Sequence, residues 1–209
     1  MDPQVMVDRL TRLARLDTSV FEEMRDDASA TIPAFIIVAA SFLIAALGGW
    51  FWWLVQSFGD KGRAFFESVI GGTILATVMW AVWVAVAFLV LTSVFNYVGN
   101  VERCLRACGF AAVPAALMLF MFIPGINLAV GLAALALMFL LMDIGIQVSF
   151  DAQPGHVILA TFAGFLAFVV VLSLATQKND WFAPGVFLFR VPSSALGDVA
   201  SAFSRVTLP

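Results

Sequence analysis

The chain of 209 residues has one histidine, one tyrosine, two cysteines and only 12% charged residues, and each shortage removes a class of function. A soluble domain carries about 25% charged residues, so water is not the main solvent here. A single histidine rules out H-E-x-x-H metal chemistry. G-x-S-x-G, P-loop and EF-hand patterns are missing too. No catalytic residue, metal ligand set or cofactor is therefore expected, and the chain does not read as an enzyme. The net charge of −3, with no basic block, argues against nucleic acid. Cys104 and Cys108 are spaced i,i+4 and have no second pair. They fit neither a redox motif nor a zinc site and read as two small apolar residues at a helix start, with juxtamembrane palmitoylation as the alternative. The basic start, short apolar core and cleavage site of a secretory signal are also lacking.

What the chain does have is hydrophobic residues, at 62%, with a mean hydropathy of +1.01. They fall into five long runs: Ile32–Val55, Val69–Tyr97, Ala107–Ile123, Leu128–Phe150 and Val157–Ala175. A helix needs roughly 20 apolar residues to cross a bilayer core, and only the third run sits at the lower edge of that length. The expected fold is all-α, an integral membrane bundle of five transmembrane helices with amphipathic helices at both ends. Its parts are a polar N-terminal segment (1–31), the membrane domain (32–177) and a C-terminal tail (178–209).

Met6, Leu10, Leu13 and Leu16 recur at helix spacing and predict a short amphipathic helix for a membrane or partner surface. Ser19 and Glu22 have the form of a capping box before a second short helix over Val20–Asp26. Thr31 is placed to cap the first span, with Pro33 in its first turn. Trp50, Phe51, Trp52 and Trp53 mark one membrane surface, and Tyr97, Asn96 and Asn100 mark the far end of the second run. Leu196, Val199, Phe203 and Val206, capped by Ser193 or Ser194, predict a final amphipathic helix, and Trp181 an interface anchor.

Gly109-Phe110-Ala111-Ala112-Val113-Pro114 and the turn Phe122-Ile123-Pro124-Gly125-Ile126-Asn127 resemble the third and fourth spans of the YIP family, the Ypt/Rab-interacting membrane proteins. Leu16-Asp17-Thr18-Ser19-Val20-Phe21-Glu22-Glu23 and Asp27-Ala28-Ser29-Ala30-Thr31 resemble the acidic segment that precedes the first span in its bacterial members. The resemblance implies a multi-pass protein, here of the bacterial cytoplasmic membrane, with a cytoplasmic N-terminus. Counted with the N-terminus inside, Lys and Arg number six inside against five outside, which favours that orientation slightly. In eukaryotic members the family implies membrane trafficking and binding of prenylated small GTPases. The D-L-Y-G-P segment found there is absent, which counts against GTPase binding.

Three polar residues in or near the spans are candidates for function. Glu67 starts the second run, where a carboxylate costs little. Asp143 lies inside the fourth run with Gln147 one turn on, a pair able to line a polar track. His156 reads as an interfacial residue, and Trp80 and Trp83 as packing side chains. Gly72 and Gly164, each paired with a small residue one turn away, together with Gly109, permit close helix approach. Pro114 bends the third span, and Pro124 and Gly125 close a tight hairpin. The leading expectation is a scaffold, adaptor or accessory subunit that contacts the lipid bilayer and other integral membrane proteins. The alternatives are a small transporter or channel component using Asp143, or a subunit helping to hold pigment or quinone.

Overall fold

The computed structural model describes residues 3–15, 17–56 and 61–178, which are helical with no strand among them. The C-terminal amphipathic helix and the Trp181 anchor read from the sequence lie outside the described residues, as does Leu16. Five stretches are long and apolar enough to cross a membrane: Ala28–Trp52, Phe65–Val94, Val101–Phe122, Asn127–Phe150 and Pro154–Leu174.

Two short helices, α1 (Pro3–Ala14) and α2 (Val20–Asp26), precede the first span, α3 (Thr31–Gln56). Thr31 does not cap α3. Its backbone is already helical, and a 3-10 turn over Ala28–Ala30 carries the helix one turn further back. Asp27, extended at φ −83° and ψ 96°, is the cap, and its carboxylate accepts from the Ser29 N–H. An aspartate satisfies an orphan amide better than a threonine does, and it suits the positive end of the helix dipole.

A short helix, α4 (Lys61–Ala64), leads into the second span, which passes a π-helical turn (Phe65–Gly71) and continues as α5 (Gly72–Leu89) to a second π turn, Val90–Val94. Asn96, with φ 59°, then redirects the chain. Asn100 caps the next helix, α6 (Val101–Phe110), accepting from the Glu102 and Arg103 N–H groups.

The third span is not one bent α-helix. Pro114 has no N–H, and its ring would strike the carbonyl four residues back, on Phe110. The α-helix ends at that residue, and Val113–Phe122 continues as a 3-10 helix of ten residues, far longer than the usual three or four. At roughly 2.0 Å per residue this segment covers about 20 Å. The run that looked short in sequence therefore still reaches across. The hairpin at Pro124-Gly125, with Gly125 at φ 90°, leads into α7 (Asn127–Phe150). Asp151, left-handed at φ 49°, ends α7, and α8 (Pro154–Lys178) closes the bundle.

Two of the close approaches in the bundle fix α3 and α8. A Cβ on Gly48 of α3 would strike the Met118 carbonyl and lie 2.7 Å from Leu119 Cα, so α3 touches the backbone of the 3-10 segment. A Cβ on Gly164 of α8 would strike the ring and carbonyl of Trp83 on α5. Trp83 is fully buried, and its rings meet Phe139, Phe165 and Phe168 at centroid distances of 6.3, 5.1 and 5.4 Å. Its indole N–H donates to the Thr161 carbonyl at 2.9 Å.

Gly48→Ala is therefore expected to cost about 1–3 kcal/mol, the usual penalty of overpacking, read as a lower melting temperature in detergent. Gly155→Ala, where a Cβ meets open space, serves as the control. Equal melting temperatures for the two variants would show that α3 and the 3-10 segment are not in backbone contact.

Candidate functional site

Lipid offers no partner to a charge, and the chain sorts its charges accordingly. Apart from Lys61, Arg63, Glu67, Asp143 and Lys178, the described charged residues lie in α1, α2, the linkers around them, α6 and the α7–α8 turn. These elements meet at one end of the bundle and form a folded polar cap.

The underside of the cap is apolar. Leu13 of α1 and Val20, Phe21 and Met24 of α2 are buried in the main core, and Met6 and Leu10 pack against it. Phe21 Cδ1 approaches 3.6 Å from the Cβ position of Gly145 on α7. The amphipathic face of α1 thus finds its surface on its own bundle. The surface expected from the sequence, a membrane or a partner, is replaced by the chain's own core.

The charges link α1 to α2 and both to the spans. Arg9, with its side chain only 10% exposed, holds Asp27 at 2.9 Å and lies 3.7 Å from Glu23. Arg12 holds Asp17 at 2.9 Å and Glu23 at 2.8 Å, and donates to Ser19 Oγ at 2.9 Å. The expected capping box does not form, because Ser19 turns its N–H and hydroxyl toward Asp17 Oδ1 instead. Arg25 pairs with Asp26, donates to the Val148 carbonyl at 3.0 Å and sits 3.7 Å from Asp151. It thereby covers the C-terminal carbonyls of α7, where a cation is favoured by the dipole.

A second cluster stands beside the cap. His156 stacks on Phe95 with centroids 4.1 Å apart and an interplanar angle of 15°. Tyr97 Oη lies 3.1 Å from His156 Nδ1 and accepts from the Gln153 N–H at 3.1 Å. The loop after α5 is pinned in this way to the start of α8. The sequence reading placed Tyr97 and His156 separately at the interface. The turn at Asn96 that brings them together left only a weak sign, a residue type tolerant of positive φ.

Asp143 occupies a different place. Measured from Asn127 at roughly 1.5 Å per residue it lies about 24 Å along α7. Taking the Pro124–Gly125 turn as one edge of a core about 30 Å thick, it sits near the capped end. It faces Thr161 of α8, yet Asp143 Oδ1 and Thr161 Oγ1 are both buried without a hydrogen-bond partner. Gln147 is half-buried and does not satisfy that oxygen. Glu67 pairs with Arg63 one turn earlier at 2.7 Å. Gly109 lies against Ala34 of α3, where a Cβ would come within 2.5 Å of the Ala34 Cβ. Gly72 is buried on α5, Pro114 opens the 3-10 segment and Pro124 is exposed in the hairpin. The candidate residues are thus distributed through the bundle and do not converge on one site. Cys104 and Cys108 are both buried in α6, their sulfurs 3.9 Å apart. Among the described residues no three His, Cys, Asp or Glu side chains are grouped to hold a metal.

A family model for the Yip1 domain matches residues 16–175. The chain belongs to the Yip1 family. It is a membrane protein of a family associated with membrane trafficking. No curated protein and no solved structure matches it. In this Yip1-family chain the matched region takes in α2 and all five spans, and α1 lies ahead of it.

The cap carries its own pH signature. The Ser29 hydroxyl and Arg9 hold Asp27 below the usual carboxylate value, and the Ser19 hydroxyl and Arg12 do the same for Asp17. A carboxylate whose pKa folding lowers stabilises fully above its unfolded value and loses that effect as pH falls through the folded one. Docking of α1 is expected to be constant from pH 8 to about 5 and to weaken below about pH 4. A spin label at position 10, under α1, is expected to be immobile in the first range and mobile in the second. Arg9→Gln should mobilise it at pH 7. A label indifferent to both changes would show that these pairs do not hold α1.

Proposed function

We propose that this Yip1-family protein is a non-enzymatic adaptor or accessory subunit, and that the polar cap is the part that meets other membrane proteins. Residues 1–31 supply the larger part of the cap, joined by the charged start of α6 and the α7–α8 turn, with 32–177 as the membrane domain and 178–209 as a tail with a further contact surface. The observation that supports this is the cap itself, a salt-bridged platform docked by buried apolar residues. It leaves Glu22, Asp26, Glu102 and Arg103 exposed together, with Arg103 3.9 Å from Asp26. Surface pairs of this kind add little stability, about 0–1 kcal/mol each, so charge displayed here serves recognition more than folding. The cap faces the cytoplasm in this reading.

A photo-crosslinking residue at Glu22 or Glu102 is expected to trap one discrete membrane-protein adduct in cells, lost when Arg103 is changed to Glu. Thiol labelling of Val98→Cys from the cytoplasmic side tests the orientation. Labelling from the other side only would reverse it.

A second reading, a small transporter, draws on one feature: the unpartnered Asp143 Oδ1 beside Thr161. Asp143→Asn separates the two. The adaptor reading expects unchanged adducts and no solute or proton flux from the purified protein in liposomes. Flux abolished by Asp143→Asn would assign transport instead. A pigment or quinone role draws no support from Trp80 and Trp83, which are enclosed by the chain's own helices.

A further inference from the structure

We propose that the outer side of the 3-10 segment binds one anionic phospholipid, with an acyl chain in an apolar groove and the phosphate at Arg15. This inference is independent of the adaptor reading. A 3-10 helix repeats every three residues, so its side chains eclipse into three straight stripes. Ala115, Met118 and Met121 form the buried stripe against the bundle. The other two stripes, from Val113 and from Pro114 onward, line a half-open groove of about 480 Å³. Ile44 of α3 forms one wall, and Leu137 and Leu141 of α7 form the other. Every lining side chain is apolar, and the groove belongs to a membrane-spanning stretch, Val101–Phe122. The solvent that meets it is therefore hydrocarbon.

Charge identifies the class of lipid. Leu13 and Ala14, at the end of α1, also line the groove. The next residue, Arg15, is exposed and has no carboxylate within 4.0 Å among the described residues. Arg9, Arg12 and Arg25 are all ion-paired. A guanidinium with no carboxylate partner, carried on the residue that follows Leu13 and Ala14 of the groove wall, is complementary to a phosphate whose acyl chain enters the slot. The straight stripes explain why the slot accepts an extended chain: an α-helix would place a winding ridge there.

The test uses the full chain in nanodiscs of phosphatidylglycerol and phosphatidylcholine. A trace of phosphatidylglycerol carries a photoactivatable group in mid-chain, and adducts are mapped by mass spectrometry. Adducts are expected to concentrate several-fold on residues 113–120 and 137–141 relative to the lipid-facing positions of α8. In gentle detergent, native mass spectrometry should show one retained phosphatidylglycerol. Ala116→Trp should abolish retention at an unchanged melting temperature, and Arg15→Gln should erase the preference over phosphatidylcholine. If the Trp variant does not fold, the adduct map on the native sequence decides alone. An even spread of adducts, retention unaffected by Ala116→Trp, or equal retention of the two lipids would overturn the proposal. A disulfide formed between Leu117→Cys and Phe203→Cys would also overturn it, by assigning the groove to the chain's own tail.

Discussion

Hydrocarbon offers no hydrogen-bond partner, and that constraint shapes every part of this bundle. It confines charge to the ends, so α1, α2 and the first half of α6 become a salt-bridged cap instead of a disordered leader. It favours partners within the chain for polar side chains in the spans, as the Trp83 indole finds on the Thr161 carbonyl, and leaves Asp143 Oδ1 beside Thr161 as an exception. It also turns a missing amide into an architectural event. Pro114 cannot continue the α-helix, yet the backbone cannot be left open in lipid. A 3-10 helix keeps the amides satisfied while stepping past the proline.

The change at Pro114 propagates through packing. A 3-10 segment presents its backbone more openly than an α-helix, and Gly48 lets α3 come against it directly. The same geometry leaves two eclipsed stripes facing outward, with a groove between α3 and α7. On the other side of the bundle, Trp83 fills the centre because Gly164 makes room for it. One large ring thus joins α5 to α7 and α8. A few glycine contacts with backbone and indole thus act together with the core of buried apolar side chains.

Much of this could be read from the chain. The five runs are long enough that only a membrane bundle accommodates them, and the stretch from Gly109 to the Pro124–Gly125 turn resembles the family to which the chain belongs. α2 falls where a short helix was expected. What could not be read depends on choices between near-equal local partners. Ser19 could cap with Glu22 in reach, or bond Asp17. Arg12 sits across from Asp17 and Glu23 and decides the matter through tertiary contact. Thr31 suited a cap by type, and one additional 3-10 turn moved the helix start back to Asp27. His156 and Tyr97 are far apart in sequence, and only the reversal at Asn96 brings their rings together. Docking of α1 on its own bundle was invisible for a related reason: an amphipathic stripe states that it needs a surface, not which one.

The docked cap is the claim on which the account of function rests, because a platform exists only if α1 and α2 stay on the bundle. Its most direct test is the distance between spin labels at Val7 on α1 and Val98 in the loop after α5, two exposed positions, measured by pulsed dipolar spectroscopy in lipid bilayers at neutral pH. The docked cap predicts a single narrow distance distribution. A broad distribution, or two populations of comparable weight, would contradict it.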